Sequence, residues 1–295
     1  MAEVTYLLGA GASAERIPVV NQMALNLSEV ISDFETTISR QIRDSFQIGS
    51  KTIDVKTAFD QVIEDLSWIQ TACEEHFSID TYAKKLYLTD EDKLDKLKLI
   101  LSFYFTYLQI NNLPDKRYDN FWASILSNER HLPKKIKILS WNYDFQVEQS
   151  FMNMSSNSFL STAENRLNKL NLGMPNDRFN PSDFGLIKLN GSAKVYSHKN
   201  VNAMYLCDAN KKSTSIELLK VMIENYLEQV NLSRLLNKLY FAWETDVRND
   251  FSSSVFPFLQ KTEVLAIIGY SFPFFNRKID ADLFRWMPNL SKIYI

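Results

Sequence analysis

The sequence predicts an α/β fold, a Rossmann-like parallel sheet flanked by helices and interrupted by one large helical insertion. Three observations carry this expectation. Short apolar runs without helical spacing recur at wide intervals along the chain. Long amphipathic stretches separate them, as expected for a parallel sheet covered on both faces. The first run ends in glycine, in a chain of 295 residues that has only seven.

Val4 to Leu8 is the first apolar run, and its form is that of a buried parallel strand. From Met23 to Ser39 the apolar residues Met23, Leu27, Val30, Ile31, Phe34 and Ile38 follow helical spacing. Ala58 to Phe77 is a second amphipathic stretch. Asp90-Glu91-Asp92-Lys93 opens a third helix, with acids at the positive end of its dipole. These helices define an insertion over about 24–133 within a single 1–295 domain. Ile136 to Trp141, Leu186 to Leu189 and Val264 to Ile268 read as further strands, and Ile216 to Val247 as helix. The closing Lys292 to Ile295 has strand form at the very end, which leaves room for a continuation beyond Ile295.

Composition narrows the function classes. A formal net charge of -2 and a sequence pI near 6.0 give no basic excess to draw nucleic acid. No run approaches the ~20 apolar residues that span a bilayer, and the N-terminus lacks signal-peptide order. The plain expectation is a cytoplasmic protein. Cys73 and Cys207 match no metal spacing, and His76, His131 and His198 form no HxxxH or HExxH pattern, so no metal site is expected.

Gly9-Ala10-Gly11-Ala12-Ser13 follows the first strand. The first glycine lets the chain turn off the strand. The second lets backbone N–H groups approach a phosphate, and Ser13 can cap the next helix or donate to a phosphate oxygen. The same loop also serves as a tight turn with no ligand. It lacks the third glycine of the redox dinucleotide fingerprint and a strand-end acid about 20 residues on. Three more predicted strand ends carry small polar sets: Ser140-Trp141-Asn142-Tyr143-Asp144, Lys188-Leu189-Asn190-Gly191-Ser192 and Gly269-Tyr270-Ser271-Phe272-Pro273. Each alone reads equally as a helix cap or an ordinary turn. Ligands of open parallel sheets bind at carboxyl strand ends, so the four together point to one site.

In this order the pieces GAGAS at 9–13, Ile17-Pro18, Ile79-Asp80-Thr81-Tyr82, WNYD at 141–144, KLNGS at 188–192 and GYS at 269–271 resemble the sirtuin-like domains of bacterial anti-phage defence. The resemblance spans nearly the whole chain. It implies a Rossmann-like sheet with a helical insertion, NAD as substrate, and cleavage of the nicotinamide–ribose bond to nicotinamide and ADP-ribose. It also implies an antiviral NAD-depleting effector, kept inactive until a partner or signal appears. Such relatives assemble as homo-oligomers or with a sensor protein, one class of which recognises a nucleotide. By the resemblance, Asn142 positions the water or a ribose hydroxyl, and Asp144 faces the nicotinamide side or supports its charge. Gly191 and Ser192 line the ribose pocket. Gly269, Tyr270 and Ser271 meet the adenosine-side ribose and phosphates, and Gly9, Ala10, Gly11, Ala12, Ser13, Ile17 and Pro18 hold the diphosphate side. Asn190 stands where the family carries histidine as general base, and an amide accepts no proton at physiological pH. Asn190 still orients a water by hydrogen bonding, and His198 is the nearest replacement in sequence. The alternatives are reliance on Asn142, an inactivating substitution, or a catalytically silent NAD- or nucleotide-binding subunit. Lysine deacylation, the other family activity, is disfavoured by the missing four-cysteine zinc module.

Overall fold

A computed structural model describes residues 2–127, 131–155, 159–173, 178–195, 215–232, 238–244 and 249–295. Its centre is a six-stranded, all-parallel sheet flanked by helices. In chain order the elements are β1 (Val4–Leu8), α1 (Met23–Asp33), α2 (Ser39–Gln41), a small hairpin β2 (Phe46–Ile48) and β3 (Lys51–Ile53), α3 (Val55–Glu75), α4 (Ile79–Thr89), α5 (Glu91–Asn111) and α6 (Lys116–Ile125). There follow β4 (Ile136–Ser140), α7 (Gln146–Met154), α8 (Leu160–Arg166), β5 (Lys169–Asn171), β6 (Gly185–Lys188), α9 (Ser215–Leu232), α10 (Asn249–Leu259), β7 (Val264–Ile268), α11 (Arg277–Arg285) and β8 (Lys292–Tyr294).

The strand order is β5-β6-β4-β1-β7-β8. After β1 the chain crosses to β4 on one side, and it later returns to β7 on the other. The topological switch point therefore falls at the carboxyl end of β1, where such sheets bind ligands. Side chains alternate between the two faces, as the strand period requires. Leu8, Ile136, Ile138 and Leu186 pack against Tyr118, Trp122, Phe151 and Leu160 of α6, α7 and α8. Leu7, Leu139, Ile187, Leu265 and Ile267 pack against Val255, Phe258 and Leu283 of α10 and α11.

A separate cluster holds the helical body. Leu27, Phe34, Val62, Leu66, Leu97, Phe103 and Tyr104 of α1, α3 and α5 and the turn after α1 pack with Met222, Ile223 and Tyr226 of α9. The body is thus assembled from two separate stretches of chain. Of the helix expected over Ile216 to Val247, α9 covers the part to Leu232, and Val247 lies outside the described residues. Beyond α9 the Ser192 N–H donates to the Lys238 carbonyl at 2.9 Å, and the Tyr240 N–H to the Asn190 carbonyl at 2.9 Å. Those extended-chain bonds take the backbone groups a helix would have needed.

Candidate functional site

Register brings the four polar loops together. Leu8 is paired with Ser140 and with Ile268, and Ser140 with Lys188, so β1, β4, β7 and β6 all end on one level. The ladder continues one residue beyond each strand: Trp141 N–H to Leu8 O at 2.9 Å, Leu189 N–H to Ser140 O at 2.8 Å and Gly9 N–H to Ile268 O at 3.0 Å. The loops therefore leave the sheet side by side and open on a cavity of about 880 Å³, within the range of roughly 300–1,000 Å³ usual for ligand pockets.

Gly9, Ala10, Gly11, Ile17, Pro18, Asn142, Asp144, Asn190, Gly269, Tyr270 and Ser271 all line this cavity. Ala12, Ser13, Gly191 and Ser192 do not line it. Ala12 is buried in the core cluster under α6. Gly191 has φ +71°, and a Cβ there would lie 2.0 Å from the Lys238 carbonyl oxygen, so it serves the backbone bridge to Leu239. The Ser192 hydroxyl donates to Asn171 Oδ1 at 2.8 Å.

The glycine loop differs from a phosphate cradle in its backbone bonds. Gly11 N–H donates to Gly269 O at 2.9 Å and Ala12 N–H to Gly9 O at 2.9 Å. The loop leads into a single 3-10 turn, Ala10–Ser13, rather than a long helix. Of the amides in this loop, the Ala10 N–H is left without a backbone partner among the described residues. A Cβ on Gly269, whose φ is +62°, would sit 2.3 Å from Ala12 N; one on Gly11 would sit 2.8 Å from Gly269 Cα. The loops after β1 and β7 thus interlock, and the missing side chains are what permit their approach.

Ser13 is fully buried and belongs to a polar relay instead of meeting a ligand. Its hydroxyl lies 3.1 Å from the Tyr118 hydroxyl of α6 and accepts from Asn142 Nδ2 at 3.3 Å. It also faces the Asp144 carboxyl and draws that group's pKa down. Asn142 lines the cavity while its amide nitrogen is bonded to Ser13. The rest of this loop is pinned as well. Asp144 accepts the Gln146 N–H at 3.0 Å, Phe145 N–H donates to Gln109 Oε1 of α5, and the Ala193 N–H meets the Tyr143 carbonyl at 2.9 Å.

The buried Lys188 ammonium donates to the Asp144 carbonyl. Burial lowers the Lys188 pKa, with Glu148 and Asp144 opposing the shift. Burial raises the Asp144 pKa, and the charge on Lys188 opposes it. Behind them Lys169 meets Glu148 at 2.5 Å and Glu164 at 2.8 Å, while Lys194 meets Glu164 at 3.1 Å. This buried ionic cluster bears on the site through Lys188 and through the charge of Glu148, which raises the Asp144 pKa. On the other flank, the Tyr270 hydroxyl donates to both oxygens of Asp280, at 2.9 and 2.8 Å, and its ring stacks on Trp141 with centroids 5.9 Å apart.

The helical body closes the cavity with Met23, Phe77, Ser78, Ile79, Asp80 and Thr81, joined by Leu101 and Phe105 of α5. Of these, Asp80 comes from the Ile79-Asp80-Thr81-Tyr82 piece of the resemblance, which by itself gave the residue no role. Burial pushes its carboxyl up to about 6. Among the described residues the lining holds two carboxyls and no lysine, arginine or histidine. His198 and Cys207 lie outside the described residues. Among those residues, no three His, Cys, Asp or Glu side chains gather to hold a metal, and no helix is long and apolar enough to cross a membrane. No family model matches the chain, and a search of curated proteins returns no match.

Proposed function

We propose that the chain binds NAD in this cavity and hydrolyses it to nicotinamide and ADP-ribose, as a partner- or signal-activated effector of the sirtuin-like kind. One observation carries the reading: the polar loops after β1, β4, β6 and β7 meet at the switch point on a cavity of dinucleotide scale, with Asn142, Asp144 and Asn190 in its lining. The chemistry needs little from a strong base. The bond between ribose C1′ and the ring nitrogen breaks, its electron pair leaves with neutral nicotinamide, and positive charge develops on the ribose. A water then adds at C1′ and releases its proton. Orientation of that water and electrostatic support of the cation carry the rate. Asn142 Oδ1 accepts a hydrogen bond from the water or a ribose hydroxyl. Asp144 supplies negative charge nearby, held in place by the Gln146 amide and the Lys188 ammonium. Asn190 completes the polar wall. With no cationic side chain lining the cavity among the described residues, the diphosphate relies on backbone amides such as that of Ala10.

The test is incubation of the purified chain with NAD, alone and with the products of its neighbouring genes, followed by quantitation of nicotinamide. Release that Asn142→Ala abolishes is the expected result. No release under any of these conditions, even after Asn190→His, refutes the hydrolase. The second reading, a silent NAD-binding subunit, is favoured by Asn190 at the family's histidine position. Calorimetric NAD binding without nicotinamide release would establish it, and absence of binding would remove both readings.

A further inference from the structure

The two carboxyls of the cavity wall differ in how they are held. Asp144 is satisfied by a backbone amide and faces a buried ammonium. Asp80 has neither. It lies in the first turn of α4, whose start is fixed by Ser78 accepting the Thr81 N–H at 3.2 Å. It is half-buried, and it makes no hydrogen bond or ion pair to another described residue. The helical body lines this part of the cavity with apolar Phe77, Ile79, Leu101 and Phe105 as well as polar Ser78 and Thr81. An uncompensated carboxylate against such a surface is costly, and a protein that keeps one ordinarily uses it. Aromatic side chains in the same lining, Phe77 and Phe105, suit a flat cation, which ring quadrupoles attract.

We propose that Asp80 is the counter-charge for a cationic ring on the ligand, so that the site selects the oxidised dinucleotide, with its pyridinium, over the reduced form, whose dihydropyridine ring is neutral. The inference rests on the dinucleotide reading above and adds a recognition role for the helical body. An opposite charge within ∼4–6 Å of a carboxylate changes its protonation equilibrium by about one to three pKa units, equivalent to roughly 10- to 1,000-fold in affinity.

The experiment is calorimetry on the full chain with carba-NAD in oxidised and reduced forms, which the enzyme cannot cleave, for the parent and for Asp80→Asn. The parent should bind the oxidised form at least tenfold more tightly. Asp80→Asn should bring the ratio close to one by weakening the oxidised form alone. A parent that binds both forms equally overturns the proposal while leaving the dinucleotide reading intact, and so does an unchanged ratio in the variant. Binding of neither form by the parent overturns both. Because the parent's ratio is decisive by itself, poor folding of the variant does not shield the proposal.

Discussion

A group that serves a ligand at the expense of the empty fold leaves a mark on stability, and Asp80 makes the mark measurable. Its carboxyl is pushed up to about 6 from an ordinary 3.8, with burial the leading cause. Asp144, Tyr143 and Tyr270 line the same cavity, yet no charged neighbour enters the balance at Asp80. The folded pKa lies above the unfolded one, so the folded state holds the proton more tightly. Stability from this group is complete below about pH 4 and is lost as pH rises through about 6. Two units at about 1.4 kcal/mol each set a ceiling of about 3 kcal/mol. Asp80 is only half-buried, and solvent screening reduces the cost to roughly 1–2 kcal/mol. Asp80→Asn keeps the shape and removes the titration. At pH 7.5 the variant should melt roughly 2–8 °C above the parent, at about 2–4 °C per kcal/mol, and at pH 4 the two should coincide. Asp280, also pushed up to about 6 by burial, titrates in the same window but is common to both proteins and cancels in the difference. Thermal melts by circular dichroism across pH 4–8 give the answer. A difference that does not depend on pH, or a variant less stable at pH 7.5, refutes the argument.

Two further perturbations test the scaffold. Gly269→Ala should cost more than about 3 kcal/mol in urea unfolding, because it adds a backbone clash to a left-handed residue; Gly49→Ala, at nearly the same φ but with open space around its Cβ, should cost about 1 kcal/mol. Equal losses would show that the loop interlock contributes nothing. Ser13→Ala should cost about 1–3 kcal/mol by stranding the Tyr118 hydroxyl and the Asn142 amide, and should lower NAD affinity or turnover more than Tyr118→Phe does. Unchanged function with the expected loss of stability would reduce the relay to packing.

The sheet was legible because β4 and β6 are buried along their whole length and β1 and β7 are apolar runs without helical spacing. Val4–Leu8 and Val264–Ile268 appear where they were expected, and the runs at Ile136 and Leu186 shift by no more than a residue. What escaped had a physical cause in each case. β5 is three residues opening on Lys169, whose charge is neutralised by Glu148 and Glu164 from elsewhere in the chain, so no apolar run announces it. The hairpin β2–β3 is as short, and its inward residues Phe46 and Ile48 are buried by the helical body. The overshoot of α9 reflects tertiary pairing of Leu239 with Gly191, which no local periodicity encodes. Within the site, the strand-end loops were readable from chain order. The 79–82 motif of α4 was readable too, but its role was not, since Asp80 becomes a cavity residue only when the helical body folds over the strand ends.

The interlock also changes what the glycines can say about function. Gly9, Gly11 and Gly269 exclude side chains because two loops touch, and that requirement would hold with no ligand at all. The amides of Gly9, Gly11 and Ala12 are bonded within the protein, so the motif's resemblance to a phosphate cradle carries less weight than its spelling suggests. The fold has no comparable need for a carboxylate at Asp80, which faces no opposite charge among the described residues. The case for an NAD site therefore rests on the polar side chains that the scaffold tolerates at a cost, and these are the residues to change first.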